Sequence, residues 1–368
     1  MEKKEPIRIL HVLQRMEAGG TQALLMNIYR NIDRSKVQFD FLVEYPSKQF
    51  YDDEIISLGG KIYYTNVRND YNILKFEHQL KKILKENNYN IIHVHAYTIG
   101  YFVLKTAKKC GVPVRIAHSH NNETVRDIKY YPKLLMQKLY TIYATDLFAC
   151  SDEAGKYLFK NRPYNVLNNA IDSKKFIYNK ANGQKIIEEF SLQNKIVYGH
   201  VGRMHPQKNH KFLIDIFENI KNKQKNAVLL LVGTGPLEDE IKKYVAHKNL
   251  SNCVFFLENR SDMPNIYAAM DTFIFPSLFE GLGIVAVEAQ ASGTPVLCSD
   301  RLPAESNISP LYESLSLNES VEAWSDHAIK QTKNAFKHKN MQRYVVDAGY
   351  DICSTANKMQ EFYLNKWR

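Results

Sequence analysis

The sequence predicts an α/β protein with two doubly wound, Rossmann-like domains that face each other across a cleft. At 368 residues and 42.7 kDa the chain is long for a single hydrophobic core, so two domains are expected. Strand-like apolar runs alternate with helical patterns, which is typical of parallel sheets with crossover helices. The alternation starts again after an asparagine-rich stretch at residues 166–176, so we place one domain at residues 1–170 and the other at 171–349.

Each expected strand is a short apolar run bounded by polar or turn-forming residues. In the first domain the runs are Ile7–Leu13, Val37–Val43, Lys61–Tyr64, Asn90–Val94, Val114–His118 and Asp146–Cys150. In the second domain they are Ile196–Val201, Ala227–Val232, Val254–Leu257, Thr272–Phe275 and Thr294–Cys298.

Composition narrows the class of protein. With 45% hydrophobic and 24% charged residues, and no apolar run of membrane-spanning length, the chain reads as a globular protein. The amino terminus lacks a signal-peptide pattern, and five widely spaced cysteines are typical of reduced thiols, so a cytoplasmic location is expected. A net charge of +10 favours a phosphate-bearing partner, which could be nucleic acid, an anionic membrane or a nucleotide.

The segment Phe279–Ala289 carries two carboxylates, Glu280 and Glu288, around a glycine-rich turn. The glycines allow close approach of a ligand, and a helix starting near Gly283 would direct its first amides at a phosphate. Glu288 could then hold a ribose diol while Glu280 contacts a transferred sugar. The alternative is an ordinary helix with one acidic residue before it and one inside it.

Two further loops follow predicted strands. Arg203 and Lys208 lie between a strand and a helix start, where cations oppose the helix dipole, so an anion such as a diphosphate is expected. Gly19 and Gly20 open the first helix of the chain, where a phosphate or sugar could bind. No GxGxxG or Walker lysine accompanies these glycines, so a simple tight connection is the alternative.

Histidines end two predicted strands, at His93 and His95 and again at His118 and His120. Alternation along a strand directs His118 and His120 to the same face. A metal site is one interpretation, but with no acidic D-x-D pair a hydrogen bond to a sugar hydroxyl is favoured. We therefore expect no metal ligand among the site residues.

The stretch Lys129–Tyr143 combines lysines, leucines and tyrosines. As a helix it could lie on an anionic membrane surface, with its aromatic rings at the interface. An amphipathic helix packed on the sheet explains the same pattern, and the sequence leaves both interpretations open.

Taken in order, the motifs resemble those of the retaining glycosyltransferases of family 4, which have the GT-B fold, and among them the bacterial capsule and exopolysaccharide enzymes. The resemblance covers nearly the whole chain. Its landmarks are the Gly19 and Gly20 loop, AHSHN at residues 117–121, ACSDEAGKYLF at 149–159, NNAID at 168–172, GRMHPQKN, VGTGP, PSLFEGLGIVAVEA and SGTPV.

The resemblance implies a set of donor-binding and catalytic residues. Arg203 and Lys208 would bind the donor diphosphate, and Glu288 the ribose. The backbone at Asp262 and Met263 would contact the base, and either His118 or His120 the sugar. Contacts with the sugar and phosphate would come from Glu280 and the backbone of Gly281, Leu282, Gly283 and Ile284. The last helix, at about residues 350–368, would cross back to the first, acceptor-side domain.

The resemblance also implies the reaction. We expect a metal-independent hexosyltransferase that moves sugar from a nucleoside diphosphate sugar, a UDP-sugar, to a lipid-linked glycan with retention of configuration, in capsule or exopolysaccharide synthesis. Peripheral contact with the inner face of an anionic membrane would suit that acceptor, and no nucleic acid is expected. A nucleotide-sugar epimerase on the same fold and a noncatalytic nucleotide-sugar binder are the alternatives.

Overall fold

A computed structural model of the protein describes residues 5–17, 19–120, 136, 138–258 and 260–367. The chain divides into two compact units. The first comprises Met1–Ile171 together with Gly349–Arg368, and the second comprises Asp172–Ala348. Within the described residues, no helix is long and apolar enough to cross a membrane.

The described strands form two sheets. In chain order they are β1 Ile7–Leu13, β2 Val37–Val43, β3 Ile62–Tyr64, β4 Ile91–Val94, β5 Val114–Ser119, β6 Asp146–Ala149, β7 Asn165–Val166, β8 Ile196–Val201, β9 Ala227–Val232, β10 Val254–Leu257, β11 Thr272–Phe275, β12 Val296–Ser299 and β13 Tyr312–Leu315.

Helices connect these strands. In chain order the described α-helices are α1 Gly20–Asn31, α2 Asp52–Ser57, α3 Val67–Asp70, α4 Ile73–Glu86, α5 Tyr97–Lys109, α6 Asp152–Phe159, α7 Lys180–Glu189, α8 His210–Lys223, α9 Glu238–His247, α10 Met263–Ala269, α11 Ile284–Ala291, α12 Val321–Gln331, α13 Gln342–Asp347 and α14 Ile352–Lys366. Short 3₁₀ turns lie at Pro206–Lys208 and Ala304–Ser306.

The first unit is built on a parallel sheet whose described strands run in the order β3-β2-β1-β4-β5-β6-β7. Side chains alternate across it, so Ile9 and Leu13 of β1 join one buried cluster while Leu10 and Val12 join another on the opposite face. Helix α14 packs with α1 against the Ile9 face, to which it contributes Ile352, Ala356, Met359 and Tyr363. The end of the chain therefore completes the core of the unit that contains its beginning.

The second unit is built on a second parallel sheet, in the order β10-β9-β8-β11-β12-β13. Its inner strand β9 is buried along its whole length, because helices cover both faces of a doubly wound sheet. The carboxyl ends of β8 and β11 lead into the loops that contain Lys208 and Glu280. These loops are the places where ligands of open parallel sheets bind.

The two parallel sheets confirm the predicted doubly wound architecture. Every strand predicted from the sequence is present, with ends shifted by no more than two residues. The strands β7 and β13 were not predicted. Both are edge strands, and both are partly or fully exposed, so neither has the continuous apolar run that identified the others. Of the segment Lys129–Tyr143, residues 129–135 and 137 lie outside the described residues, so both interpretations of that segment stay open.

Candidate active site

The glycine-rich turn of Phe279–Ala289 leads directly into helix α11. Gly283 is the N-cap residue and has φ of +72°, a left-handed conformation that favours glycine. A Cβ atom there would lie 3.2 Å from Leu302 and 3.3 Å from Phe275. As a glycine, the N-cap residue has no side chain with which to cap the helix, so the helix N-terminus can receive an anion.

Lys208 and Glu280 form an ion pair beside this turn. Lys208 Nζ lies 2.5 Å from Glu280 Oε1, and their side chains are only 14% and 8% exposed. Lys208 Nζ also lies 4.7 Å from the centre of the Phe275 ring, within range of a cation–π contact. The structure thus brings together two predicted site residues that are 72 positions apart in sequence.

Gln207 connects the two loops, a role that we did not predict from sequence. Its Nε2 donates a hydrogen bond of 2.7 Å to the carbonyl of Phe279, and the backbone N–H of Leu278 donates to the carbonyl of Gln207 at 2.8 Å. The side chains of Leu278 and Phe279 are 45% and 43% exposed. The only sequence signal for Gln207 was its place inside the GRMHPQKN motif.

Arg203 lies in the same loop as Lys208, but its side chain is exposed and makes no hydrogen bond or ion pair with the described residues. The VGTGP segment packs against the backbone of this loop. Met204 N–H donates to Thr234 O at 3.0 Å, and Cβ atoms at Gly233 and Gly235 would lie 2.5 Å from carbonyl oxygens of Gly202 and Met204. These glycines allow close backbone packing under the cationic loop.

Glu288 lies in α11 and is partly buried. Its Oε2 accepts a hydrogen bond of 2.9 Å from the hydroxyl of Tyr267, a residue with no exposed surface. Burial raises the pKa of the Glu288 carboxyl to about 7, because the charged form loses its hydration. The carboxyl therefore changes charge near neutral pH.

Asp262 and Met263 begin helix α10, where Asp262 is the N-cap residue. The Asp262 side chain makes no capping bond to the helix. The Asp262 carboxylate instead accepts two hydrogen bonds of 2.8 Å from Arg260, which also binds Glu189. The Arg260 hydrogen bonds lower the pKa of Asp262. A bidentate pair satisfies the carboxylate better than a backbone amide does, so the cap is lost.

Gly19 and Gly20 start helix α1 in the first unit, and both are exposed. A Cβ atom at Gly20 would meet nothing within 4 Å, so packing within the protein does not require glycine at this position. Gly19 caps the helix without a side-chain bond.

The predicted histidine pair belongs to a larger cluster in the first unit. The rings of His118 and His120 stack with centroids 4.1 Å apart, which confirms that they share a face. His93, His95 and His11 lie beside them, and burial lowers the pKa of all five imidazoles, to about 3 for His11 and His120. The rings are therefore neutral over the physiological pH range.

The sequence of this chain matches known protein families. The sequence model of the family described as Glycosyl transferases group 1 matches residues 183–348, and that of Glycosyltransferase Family 4 matches residues 18–175. The putative glycosyltransferase EpsF of Bacillus subtilis strain 168 is 34% identical over 372 residues, covering 97% of this chain and 96% of EpsF. This chain belongs to the glycosyltransferases. The resemblance drawn from its motifs is thereby confirmed.

Other relatives of this glycosyltransferase are similar in sequence or in fold. The Escherichia coli UDP-Gal:alpha-D-GlcNAc-diphosphoundecaprenol alpha-1,3-galactosyltransferase is 27% identical over 307 residues, which is 78% of each chain. The crystal structure of Anabaena HepE in complex with UDP and glucose matches with a TM-score of 0.78 at 17% identity, covering 97% of this chain and 99% of HepE. The fold of the glycosyltransferase is GT-B, as predicted.

Proposed function

We propose that this glycosyltransferase transfers a hexose from a UDP-sugar to a lipid-linked glycan, with retention of anomeric configuration, in the synthesis of a capsule or exopolysaccharide. The observation that carries this function is the Lys208–Glu280 ion pair beside the uncapped N-terminus of α11. A cation, a carboxylate and free helix amides in one small region suit a ligand that combines a diphosphate with a polar sugar.

The donor diphosphate is bound by positive charge in the second unit. Arg203 and Lys208 contact its oxygens, together with the backbone amides of residues 281–284. Each cation contributes roughly 4 kcal/mol of raw attraction at about 4 Å with an effective dielectric of about 20, before desolvation is subtracted. Arg203 suits this role because its exposed side chain makes no ion pair with the described residues.

The nucleoside is held by Glu288 and the start of α10. An ionised Glu288 accepts two hydrogen bonds from the ribose diol, and Tyr267 holds one carboxylate oxygen in place. The base contacts the backbone at Asp262 and Met263. The ion pair between Arg260 and Asp262 holds that turn in position. The Asp262 carboxylate itself does not contact the base.

Transfer proceeds on one face of the sugar. The bond between the anomeric carbon and the leaving phosphate oxygen breaks, and the acceptor hydroxyl oxygen forms its bond to the same face. The acceptor proton passes to an oxygen of the departing phosphate, so the products are UDP and the new glycoside. Lys208, Arg203 and the helix amides stabilise the charge that develops on the phosphate.

Glu280 contacts the transferred sugar, and His118 or His120 of the first unit supplies a further contact. A double displacement through Glu280 is less favoured. Retaining enzymes of that kind keep two carboxyl groups about 5 Å apart beneath the sugar, whereas Glu280 is paired with Lys208.

The transfer itself requires no metal ion, because lysine, arginine and helix amides supply the positive charge. A lipid-linked acceptor is supported by the name of the Escherichia coli relative, which specifies a diphosphoundecaprenol substrate. The net charge of +10 suits a protein that meets such an acceptor at an anionic membrane surface.

A thermal-shift screen of UDP-, GDP- and ADP-sugars tests donor binding. The matching donor at 100 times its Kd should stabilise the protein by about 2.7 kcal/mol. Glu288→Gln should weaken this effect, whereas Glu240→Gln, which removes an exposed carboxylate of the same unit, should leave it unchanged. Equal shifts for all donors, or no shift, would contradict the donor assignment.

Incubation with the donor alone separates transfer from epimerisation. An acceptor-dependent release of UDP, with product of retained configuration and undiminished by EDTA, is the expected result. An epimerised donor sugar in the absence of acceptor would instead identify a nucleotide-sugar epimerase.

A further inference from the structure

Five histidines meet on one face of the first unit's sheet. They lie at the carboxyl ends of three neighbouring strands: His11 on β1, His93 and His95 at β4, and His118 and His120 at β5. All lie on the face that α14 covers, and only His120 is partly exposed. The sequence revealed two pairs of histidines, and the sheet register adds His11 directly beside His93.

The imidazoles form a chain of hydrogen bonds that leaves several ring nitrogens unused. His11 Nδ1 lies 3.1 Å from His95 Nε2, and His95 Nδ1 lies 2.8 Å from His120 Nε2. Among the described residues, His11 Nε2, His118 Nε2 and His120 Nδ1 have no hydrogen-bond partner although all three are buried. Buried polar atoms without partners are rare, and an ion is one of their ordinary explanations.

We propose that His95, His118 and His120 bind one divalent transition-metal ion of the zinc class. Each offers one ring nitrogen, and the three nitrogens lie within 4.8 Å of one another. In a tetrahedral zinc site with bonds of about 2.0–2.1 Å, ligand nitrogens are about 3.4 Å apart. The limit of 4.8 Å is wider than this spacing, so binding requires the three rings to draw together. Three neutral imidazoles with a fourth position left open are a familiar zinc ligand set.

The remaining histidines orient the ligands. His118 Nδ1 lies 3.0 Å from His93 Nε2, and His95 Nε2 faces His11 Nδ1. His93 Nδ1 in turn lies 2.8 Å from the hydroxyl of Tyr363 in α14. Metal-binding histidines generally engage their second ring nitrogen in such a bond, which fixes the ring and its tautomer.

A second triad, His11, His93 and His95, has similar spacing but suits an ion less well. A metal bond from His93 would replace its hydrogen bond to Tyr363 or to His118, neither of which belongs to this triad. In the favoured triad, His95 gives up only its hydrogen bond to His120, which would bind the same ion. All three residues of this second triad are also buried. In the favoured triad His120 is partly exposed, so an ion can reach the site from solvent.

An ion on this triad would occupy nitrogens of His118 and His120, one of which the proposed function assigns to the donor sugar. Zinc is therefore expected to slow transfer reversibly. This consequence rests on the proposed function, whereas metal binding itself does not.

Cobalt titration of the full-length protein, followed by visible absorption, tests the site without relying on activity. We expect one equivalent of Co²⁺ with an intense tetrahedral spectrum that one equivalent of Zn²⁺ displaces. His120→Gln should weaken binding by more than about tenfold, and the orienting variant His93→Gln by about 10- to 100-fold.

A double variant at exposed surface histidines, His78→Gln with His247→Gln, serves as the control and should bind as wild type does. Thermal unfolding of each variant shows whether it is folded. Absence of a tetrahedral spectrum in the wild-type protein would overturn the site, as would binding that the surface double variant abolishes. Binding lost in His93→Gln but unchanged in His120→Gln would overturn the assignment of ligands.

Discussion

Glu288 is a carboxyl group whose surroundings oppose its charge. Tyr267 donates to it, but burial dominates and raises its pKa to about 7. The proposed ribose contact needs the ionised form, which accepts two hydrogen bonds from a diol. Donor binding and ionisation of Glu288 must therefore be coupled.

This coupling predicts the pH dependence of donor binding. Below about pH 7, where the free protein holds Glu288 protonated, donor affinity should rise by up to about tenfold per pH unit, and it should level off above. Isothermal titration calorimetry with the matching UDP-sugar measures this. Glu288→Gln should bind more weakly and lose this dependence, and an unchanged pH profile in that variant would exclude Glu288 as its cause.

The stability of the free protein provides a second measure of the same group. A raised carboxyl pKa means that folding favours the protonated form, so the stabilisation is present at low pH and is lost as pH rises through about 7. As pH rises from about 5 to about 8, the free energy of unfolding of Glu288→Gln should increase by about 1 to 3 kcal/mol relative to that of wild type. Solvent screening of the carboxyl lowers this value. Urea unfolding at several pH values measures this difference.

The Lys208–Glu280 pair should be energetically coupled because both side chains are largely buried. Lys208→Met or Glu280→Gln alone leaves a buried charge without its counterpart. Either variant should lower the free energy of unfolding by about 3 kcal/mol. The double variant should cost less than the sum, by about 0.5–3 kcal/mol. Urea unfolding of the four proteins measures the coupling.

The exposed pair Lys211–Glu240 of the same unit is the matched control, with an expected coupling of about 0.2–1 kcal/mol. Equal coupling in the two pairs would show that burial does not strengthen the Lys208–Glu280 interaction.

At single positions, local geometry is predictable from the sequence where a local motif determines it. The helix start near Gly283 follows from a glycine before an apolar run, and Gly283 is the N-cap residue in the structure. The side chain of Asp262 was different. Its partner Arg260 lies two positions away and also binds Glu189, 71 positions before it, so local capping preference could not predict the outcome.

At the scale of elements, substitution by alanine should have different effects on stability at two glycines that lie at helix starts. At Gly283 the left-handed backbone and the nearby Leu302 and Phe275 should make Gly283→Ala destabilising by about 1 kcal/mol or more. At Gly20 a Cβ atom enters open space, so Gly20→Ala should unfold at the wild-type temperature or slightly above. Differential scanning calorimetry distinguishes the two.

Activity of Gly20→Ala then tests why glycine is present. A fall in kcat/KM with unchanged stability would support close approach of a ligand to this helix start, whereas full activity would leave only the role of a loop connection.

The strands of both sheets were predictable because parallel strands buried on two faces read as continuous apolar runs, as in β9. The edge strands β7 and β13 were not predicted because β7 is exposed and only two residues long and β13 is partly exposed and four residues long, so both resemble loops in sequence. Residues on distant strands could be brought together only by register. In sequence His11 is one polar residue within an apolar strand, and only the pairing of β1 with β4 places it beside His93.

At the scale of the whole molecule, the last helix belongs to the unit that contains the first strand. Ile352, Met359 and Tyr363 of α14 lie in the core shared with β1 and β2. A chain that ends at Tyr350 should therefore lose the cooperative unfolding of the first unit and expose apolar surface. Circular dichroism and dye binding measure this loss.

Tyr363→Phe is the milder comparison, because it removes only the hydroxyl that bonds His93. This variant should fold, and its free energy of unfolding should be about 0.5–1.5 kcal/mol lower than that of wild type. A truncated chain that unfolds in the same way as wild type would contradict the structural role of α14.

The central claim is that the second unit binds an activated sugar at the start of α11. A crystal structure of the full-length protein with UDP-sugar tests it most directly. We predict the diphosphate at the amides of residues 281–284 with Lys208 and Arg203 on its oxygens, and the ribose hydroxyls on Glu288. A nucleotide bound elsewhere, with Glu288 and Lys208 making no contact to it, would contradict the account.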